Sequence, residues 1–156
     1  MATERTPDGA RLYLLLWRAF KSFEAIDRAS IQALGFRNLS DFAVLEIVYH
    51  KGPQPVNTIG RKVYLTSGSI TTAVHRLERQ GLVRRTPCPD DRRVVYVDLT
   101  DEGRRVIREA FASHNARLDG AFHALDPGER QQLAALLRKA GHAAAAWSEA
   151  EPRVEE

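Results

Sequence analysis

A mainly α fold carrying one small β hairpin is what this 156-residue chain predicts, and three observations predict it. Apolar residues recur at spacings of three and four along most of the length, the mark of helices with one buried face. One segment, Arg93 to Thr100, alternates instead, with Val95 and Val97 on one face and Tyr96 and Asp98 on the other. Between the periodic runs stand Gly35, Gly52 and Gly81, placed where helices stop. With 44% hydrophobic residues the chain is long enough for one domain with a real core.

The elements follow in order. From Leu12 to Leu34 a broad stripe of Leu12, Leu15, Leu16, Ala19, Phe20, Phe23 and Ile26 predicts one long helix, ended by Gly35. Ser40 is placed to cap a second helix, SDFAVLEIVYHKG, whose Phe42, Leu45, Val48 and Tyr49 share one side. After two prolines, VNTIGRKVY makes a short third helix held by Val56, Ile59 and Val63. A fourth follows with almost no linker, which gives a helix, a tight turn and a helix. In that fourth helix, about residues 67–80, Ile70, Ala73, Val74 and Leu77 point inward and Ser69, Thr72, His75, Arg76 and Arg79 outward, with Thr71 at the edge. LVRRTP and RVVYVDLT then pair as a hairpin, about residues 84–98, around the charged turn CPDD. Thr100 caps a long fifth helix marked by Ile107, Ala110, Phe111, His114 and Leu118. Asp126-Pro127-Gly128-Glu129 opens the last helix with an N-cap aspartate, a first-turn proline and a glutamate that can close a capping box. The acidic tail, residues 148–156, is expected to fray.

Composition narrows the function classes. No apolar run approaches the roughly 18 residues of a membrane span, and MATERTPDGAR lacks the apolar core of a secretion signal, so the expectation is a cytoplasmic chain without membrane contact. One cysteine, Cys88, excludes an intrachain disulfide, and the five histidines form no HxxxH or HExxH pair, so neither a metal nor a cofactor is expected. Nor does the chain offer a nucleophile–base pair, a carboxylate pair for a cleft or a glycine loop for phosphates, and an enzyme is not the expected class.

Charge is divided unevenly. Between residues 61 and 93, Arg61, Lys62, Arg76, Arg79, Arg84, Arg85, Arg92 and Arg93 face only Glu78, Asp90 and Asp91, a local balance of +5 in a chain of +3. That is the footprint of a module meeting a polyanion with one face. The fourth helix fits the same partner, because its N-terminal half carries Thr66, Ser67, Ser69, Thr71 and Thr72 where a solvated helix would carry Glu or Lys. Short hydroxyl side chains let a backbone approach the floor of a DNA major groove, and a helix N-terminus favours phosphate. Helix, turn, reading helix and two-stranded wing together make a winged helix-turn-helix. Thr66, Ser67 and Ser69 are then expected on the DNA backbone, with Thr71, Thr72, His75 and Arg76 on base edges or nearby phosphates and Arg79 among the DNA-binding residues. Arg76 is the first choice for guanine.

The stretch LTSGSITTAVHRLERQGLVRR followed by DDRRVVYVDLTDEG resembles the MarR family of bacterial transcriptional regulators. The wing motif Asp-x-Arg-x-x-x-Val-x-Leu-Thr is matched by Asp91, Arg93, Val97, Leu99 and Thr100. The resemblance implies a DNA-binding homodimer: residues 36–99 as the winged domain and residues 10–35 and 100–147 as helical dimerisation regions on either side. It implies that Arg93 enters the minor groove at the wing tip, that Asp91 braces it, and that Arg92 touches phosphate or shares the groove. The twofold axis would set two reading helices about 34 Å apart on a pseudo-palindromic operator.

Regulators resembling this one commonly release DNA when a small, often aromatic, anion binds. Tyr13, Trp17, Phe20, Tyr49, His50 and Phe111 combine aromatic walls with polar tips suited to such an effector. Two alternatives stay open. One is a redox-sensing regulator that uses Cys88, which lies between Pro87 and Pro89 at the start of the wing. The other is a winged module that binds protein and not specific DNA.

Overall fold

The computed structural model describes residues 6–91 and 93–150. Among the described residues the elements run α1 (Gly9–Ala33), α2 (Leu39–Lys51), β1 (Gln54–Pro55), α3 (Val56–Lys62), α4 (Ser67–Arg79), β2 (Val83–Pro87), β3 (Val95–Leu99), α5 (Asp101–Ala121) and α6 (Pro127–Ala150). The mainly α class with a small β wing is the observed one. Two compact units divide the chain, Met1–Leu118 and Asp119–Glu156, and each is described by itself.

In the first unit the helix-turn-helix is seated by its inward stripes. Ile70, Ala73, Val74 and Leu77 of α4 are essentially buried, as are Phe42, Val44, Leu45 and Val48 of α2 and Ile59 of α3. Each of the larger of these side chains contributes about 1.5–3 kcal/mol by leaving water, which is what holds a helix with so polar an outer face. At Gly60 in α3, an added Cβ would lie 3.2 Å from Cγ2 of Ile70, so the two helices cross closely there. From the flanking helices Ile31 of α1 and Ile107 and Ala110 of α5 join the same core.

Helix starts obey local chemistry. Asp8 caps α1 by accepting from the Arg11 amide at 2.9 Å, and the Thr66 Oγ1 accepts from the Ser69 amide at 3.3 Å to start α4. Thr100 caps α5, its Oγ1 accepting from the Gly103 amide at 3.0 Å and donating to the Gly81 carbonyl. At α6 the capping box closes as expected: the Glu129 amide donates to Asp126 Oδ1 and the Asp126 amide to Glu129 Oε2, both at 2.9 Å. The start of α2 differs from expectation. Its cap position is Asn38, and Ser40 lies inside the first turn, where its hydroxyl serves a partner on α4.

The wing also departs from a two-stranded hairpin. Strands β2 and β3 pair antiparallel from Val83↔Leu99 to Pro87↔Val95, and β1 adds a third strand on the other side of β3 through Gln54↔Val97 and Pro55↔Tyr96. Proline lacks the amide a central strand needs, and Pro55 is tolerated because β1 is an edge. The hairpin is tied to α5 at its base. Gly103 sits so near the Leu82 carbonyl that a Cβ there would come within 1.8 Å of the oxygen. The Thr100 amide donates to the same carbonyl at 3.1 Å.

In the second unit α6 packs beside the end of α5 through Arg130, which donates to the carbonyls of Phe122 and Leu125 and reaches Asp119 Oδ1 at 3.3 Å. Where fraying was expected from residue 148, α6 continues through Ser148–Ala150, and the rest of the expected tail, residues 151–156, lies outside the described residues. The alanine run before Trp147 favours helix strongly enough to carry it on. Among the described residues no helix is long and apolar enough to cross a membrane, and no group of three or more His, Cys, Asp or Glu could hold a metal ion.

Candidate nucleic-acid interface

Six of the residues singled out in the sequence lie along one helix of the first unit. Ser67, Ser69, Thr71, Thr72, His75 and Arg79 are all exposed along α4. The hydroxyls are pre-engaged. Thr71 Oγ1 donates to the Ser67 carbonyl at 2.8 Å and Thr72 Oγ1 to the Gly68 carbonyl at 2.9 Å, while Thr66 Oγ1 donates to Ser69 Oγ at 2.9 Å. In this state the two threonines offer outward lone pairs and methyl groups. Those groups suit a cytosine or adenine amino group, or a thymine methyl, on the major-groove edge.

Arg76 is held differently from the expectation that made it the guanine reader. Its Nε lies 3.2 Å from both carboxylate oxygens of Asp41, and its Nη2 lies 2.6 Å from Asp41 Oδ1 and 3.1 Å from Ser40 Oγ. Asp41 is buried and the Arg76 side chain only a quarter exposed, at 7% and 25%. The hydrogen bonds to Asp41 raise the Arg76 pKa, so its charge is secure. A two-pronged pair of this kind consumes the guanidinium edge that would read guanine. Arg76 therefore fastens α4 to α2. Sequence periodicity placed it correctly on the helix but had no local signal for a partner 35 residues upstream.

The wing carries the other arginines. At its tip Arg93 is 92% exposed in its side chain. Asp91 braces it three ways, accepting from the Arg93 amide at 3.0 Å, from Nε at 3.2 Å and from Nη2 at 3.3 Å. Those hydrogen bonds hold the Asp91 carboxyl below the ordinary aspartate range. Arg92 lies outside the described residues. Further back, Arg84 pairs with Asp98 across the hairpin.

Arg85 performs a task that sequence reasoning missed. From β2 it reaches Glu78 of α4 at 2.8 Å and lies 3.4 Å from Nε2 of His75, which links wing and reading helix. Only its alternation in the strand could have hinted at this. Beside it a cavity of about 190 Å³ is lined by Pro55, Val56, Asn57, Thr71, Val74, Arg85 and Arg93, with Val94 and Val95. Cys88 is half-buried, and its amide donates to the Val94 carbonyl at 2.8 Å.

Of the residues expected to meet a small effector, the structure brings three together. The rings of His50 and Phe111 are 4.6 Å apart, Tyr49 and His50 5.1 Å, and Tyr49 and Phe111 6.4 Å. Tyr13, Trp17 and Phe20 instead stand exposed on α1 at 68%, 49% and 58%. A polar cluster is centred on His114, whose ring packs against Phe42 at 5.0 Å. Buried His114 has Nδ1 3.0 Å from Ser30 Oγ and Nε2 3.3 Å from Asp27 Oδ1. Nearby Glu46 has its pKa raised, chiefly by burial and partly offset by His114 and His50.

The model of the MarR family matches residues 38–95, from the start of α2 into β3. The chain is 39% identical over 138 residues to the HTH-type transcriptional regulator YkoM of Bacillus subtilis, covering 88% of this chain and 89% of that one. It is 36% identical over 136 residues to the HTH-type transcriptional regulator MhqR of the same organism, covering 87% and 93%. Among solved structures, that of Bordetella bronchiseptica BpsR superposes with a TM-score of 0.72 at 26% identity, over 83% of this chain and 98% of that one. That structure concerns regulation of DNA binding by 6-hydroxynicotinic acid.

Proposed function

The chain belongs to the MarR family of DNA-binding transcriptional regulators, and from that premise we propose that it is a homodimeric repressor of a pseudo-palindromic operator, released by a small organic acid. The observation that carries this reading is the pairing of an exposed hydroxyl arc on α4 with an outstretched, carboxylate-braced Arg93 on the neighbouring wing. Ser67, Ser69, Thr71, Thr72 and His75 meet the major groove, and Arg93 enters the minor groove beside it, where a narrow A·T-rich tract concentrates negative potential. Arg79 and Arg92 add phosphate contacts. Arg76 acts from behind, fixing the angle at which α4 is presented.

Dimerisation is supported by the apolar residues α1 leaves in water: Leu12, Tyr13, Leu15, Leu16, Trp17 and Phe20 are each about half exposed or more. A patch of this kind marks a protein–protein contact. On α6, Leu136, Leu137 and Trp147 are likewise exposed. Residues 10–35 and 100–147 would then form the dimer regions and residues 36–99 the DNA-binding domain, and a twofold axis would match two half-sites about one helical turn apart. Repression follows from occupancy, since a bound dimer blocks access to the DNA.

Release by a small acid is supported at two places. The Tyr49–His50–Phe111 cluster offers aromatic walls with two polar tips. The cavity beside Arg85 and Arg93 offers two cations within the wing itself, so an anion held there competes directly with DNA phosphates. Selection of bound duplexes from a random pool, repeated with phenolic and pyridine carboxylic acids, tests all three parts. The reading predicts an inverted repeat and an acid that abolishes recovery; enrichment of no sequence would overturn it.

A further inference from the structure

Arg85 leaves β2 with two nitrogens of its guanidinium in use. Nη2 lies 2.8 Å from Glu78 Oε2 and Nη1 lies 3.4 Å from His75 Nε2, so one side chain of the wing spans a turn of α4. The ion pair with Glu78 aims the guanidinium at the ring, and Arg85 lines the cavity it shares with Thr71 and Val74 of α4. His75 itself is exposed on the arc that carries Thr71 and Thr72.

Donor counting then decides the form of the imidazole. A guanidinium carries only N–H donors and keeps its proton in proteins. The contact with His75 therefore uses the lone pair of Nε2, which places the ring hydrogen on Nδ1. Among the described residues nothing accepts from that N–H. We infer that Arg85 is a positioning residue for base choice: it holds His75 in the Nδ1–H form, so that His75 presents a donor, and no acceptor, to the major groove. The inference rests on the DNA-binding reading and adds which base edge this side chain selects. A donor matches guanine N7 and O6, adenine N7 and thymine O4, and it meets a like group at the cytosine amino edge. With the hydrogen on Nε2, the ring would instead offer Nδ1 as an acceptor and suit a cytosine or adenine amino group. Base choice on the reading helix is thus set from the wing.

The test reads the ring nitrogens of His75 by NMR in the full chain at pH 8, with its signals assigned by their loss in His75→Ala. Arg85→Met keeps the stem and loses every donor. Wild type should show hydrogen on Nδ1 and a bare Nε2, and Arg85→Met should move hydrogen to Nε2. Selection of duplexes from a random pool supplies the second readout. At one position of each half-site wild type should disfavour cytosine, and His75→Ala should relax that preference by about five-fold. Arg85→Met should relax the same position, and the double variant should relax it no further. The preference is a ratio of affinities at one salt concentration, so the charge lost with Arg85 cancels from it. A wild-type ring with hydrogen on Nε2, an unchanged tautomer in Arg85→Met, or a relaxed position that differs between the two variants would overturn the inference and leave the DNA-binding reading standing. Failure of the wild type to bind any duplex would overturn both.

Discussion

At the scale of single residues, Arg76 separates what is read from what is held. Removing it leaves Asp41 buried and unpaired, so Arg76→Ala should cost about 2–3 kcal/mol in urea unfolding. Pairing it with Asp41→Leu should cost less than the sum of the two single changes, because the orphaned charge disappears. Additive losses would show that the pair does not fasten α4. Glu46 makes a pH-dependent case. Its pKa is raised in the folded state by burial, so its charged form weighs against folding at high pH, and that penalty fades as pH falls through the raised folded value toward the ordinary 4.5. Glu46→Gln should therefore raise Tm at pH 8 and lose its advantage near pH 4.5. An equal effect at both values would contradict the assignment. At this scale the sequence could place side chains on faces but not name their partners. Arg76 and Thr72 share the outward arc of one helix, yet one is committed to Asp41 across the core edge and the other is open to solvent.

At the scale of elements, the reading helix and wing are set by contacts outside both. The α5 start at Gly103 leaves no room for a Cβ against the Leu82 carbonyl. Gly103→Ala should push the wing base from α5 and destabilise by about 1–3 kcal/mol, visible as a lower urea midpoint; an unchanged midpoint would mean that the backbone yields there at no cost. Helix existence and the caps at Thr100 and Asp126 were legible because the cues are local, each acting within one turn, whereas at α2 the choice between Asn38 and Ser40 was not. Strand β1 was not legible. Two residues, one a proline, carry no alternation, and only their long-range pairing with Tyr96 and Val97 makes them a strand. For the same reason the Arg85 bridge to Glu78 and His75 escaped notice, since it joins two elements whose relative placement the sequence does not encode locally.

At the scale of the whole molecule, the charge division between a basic middle and acidic flanks was readable directly, and the described basic residues of that middle lie on α3, α4 and the wing. The exposed stripe of α1 was also visible as excess apolar surface, and it makes a specific demand. Trp17→Glu should convert a dimer into monomers in light scattering and weaken operator binding by tens-fold or more, because two half-sites would then be bound independently. A Trp17→Glu dimer would remove α1 from the interface. The central claim is that α4 and the wing form one electrostatic surface for duplex DNA, with Arg93 at its reach. Affinity for a selected duplex, titrated against salt for wild type and Arg93→Ala, measures that surface most directly. The account predicts a steep negative log–log slope in wild type and a slope shallower by about one with lower affinity in Arg93→Ala. A flat salt dependence, or identical curves for the two proteins, would contradict it.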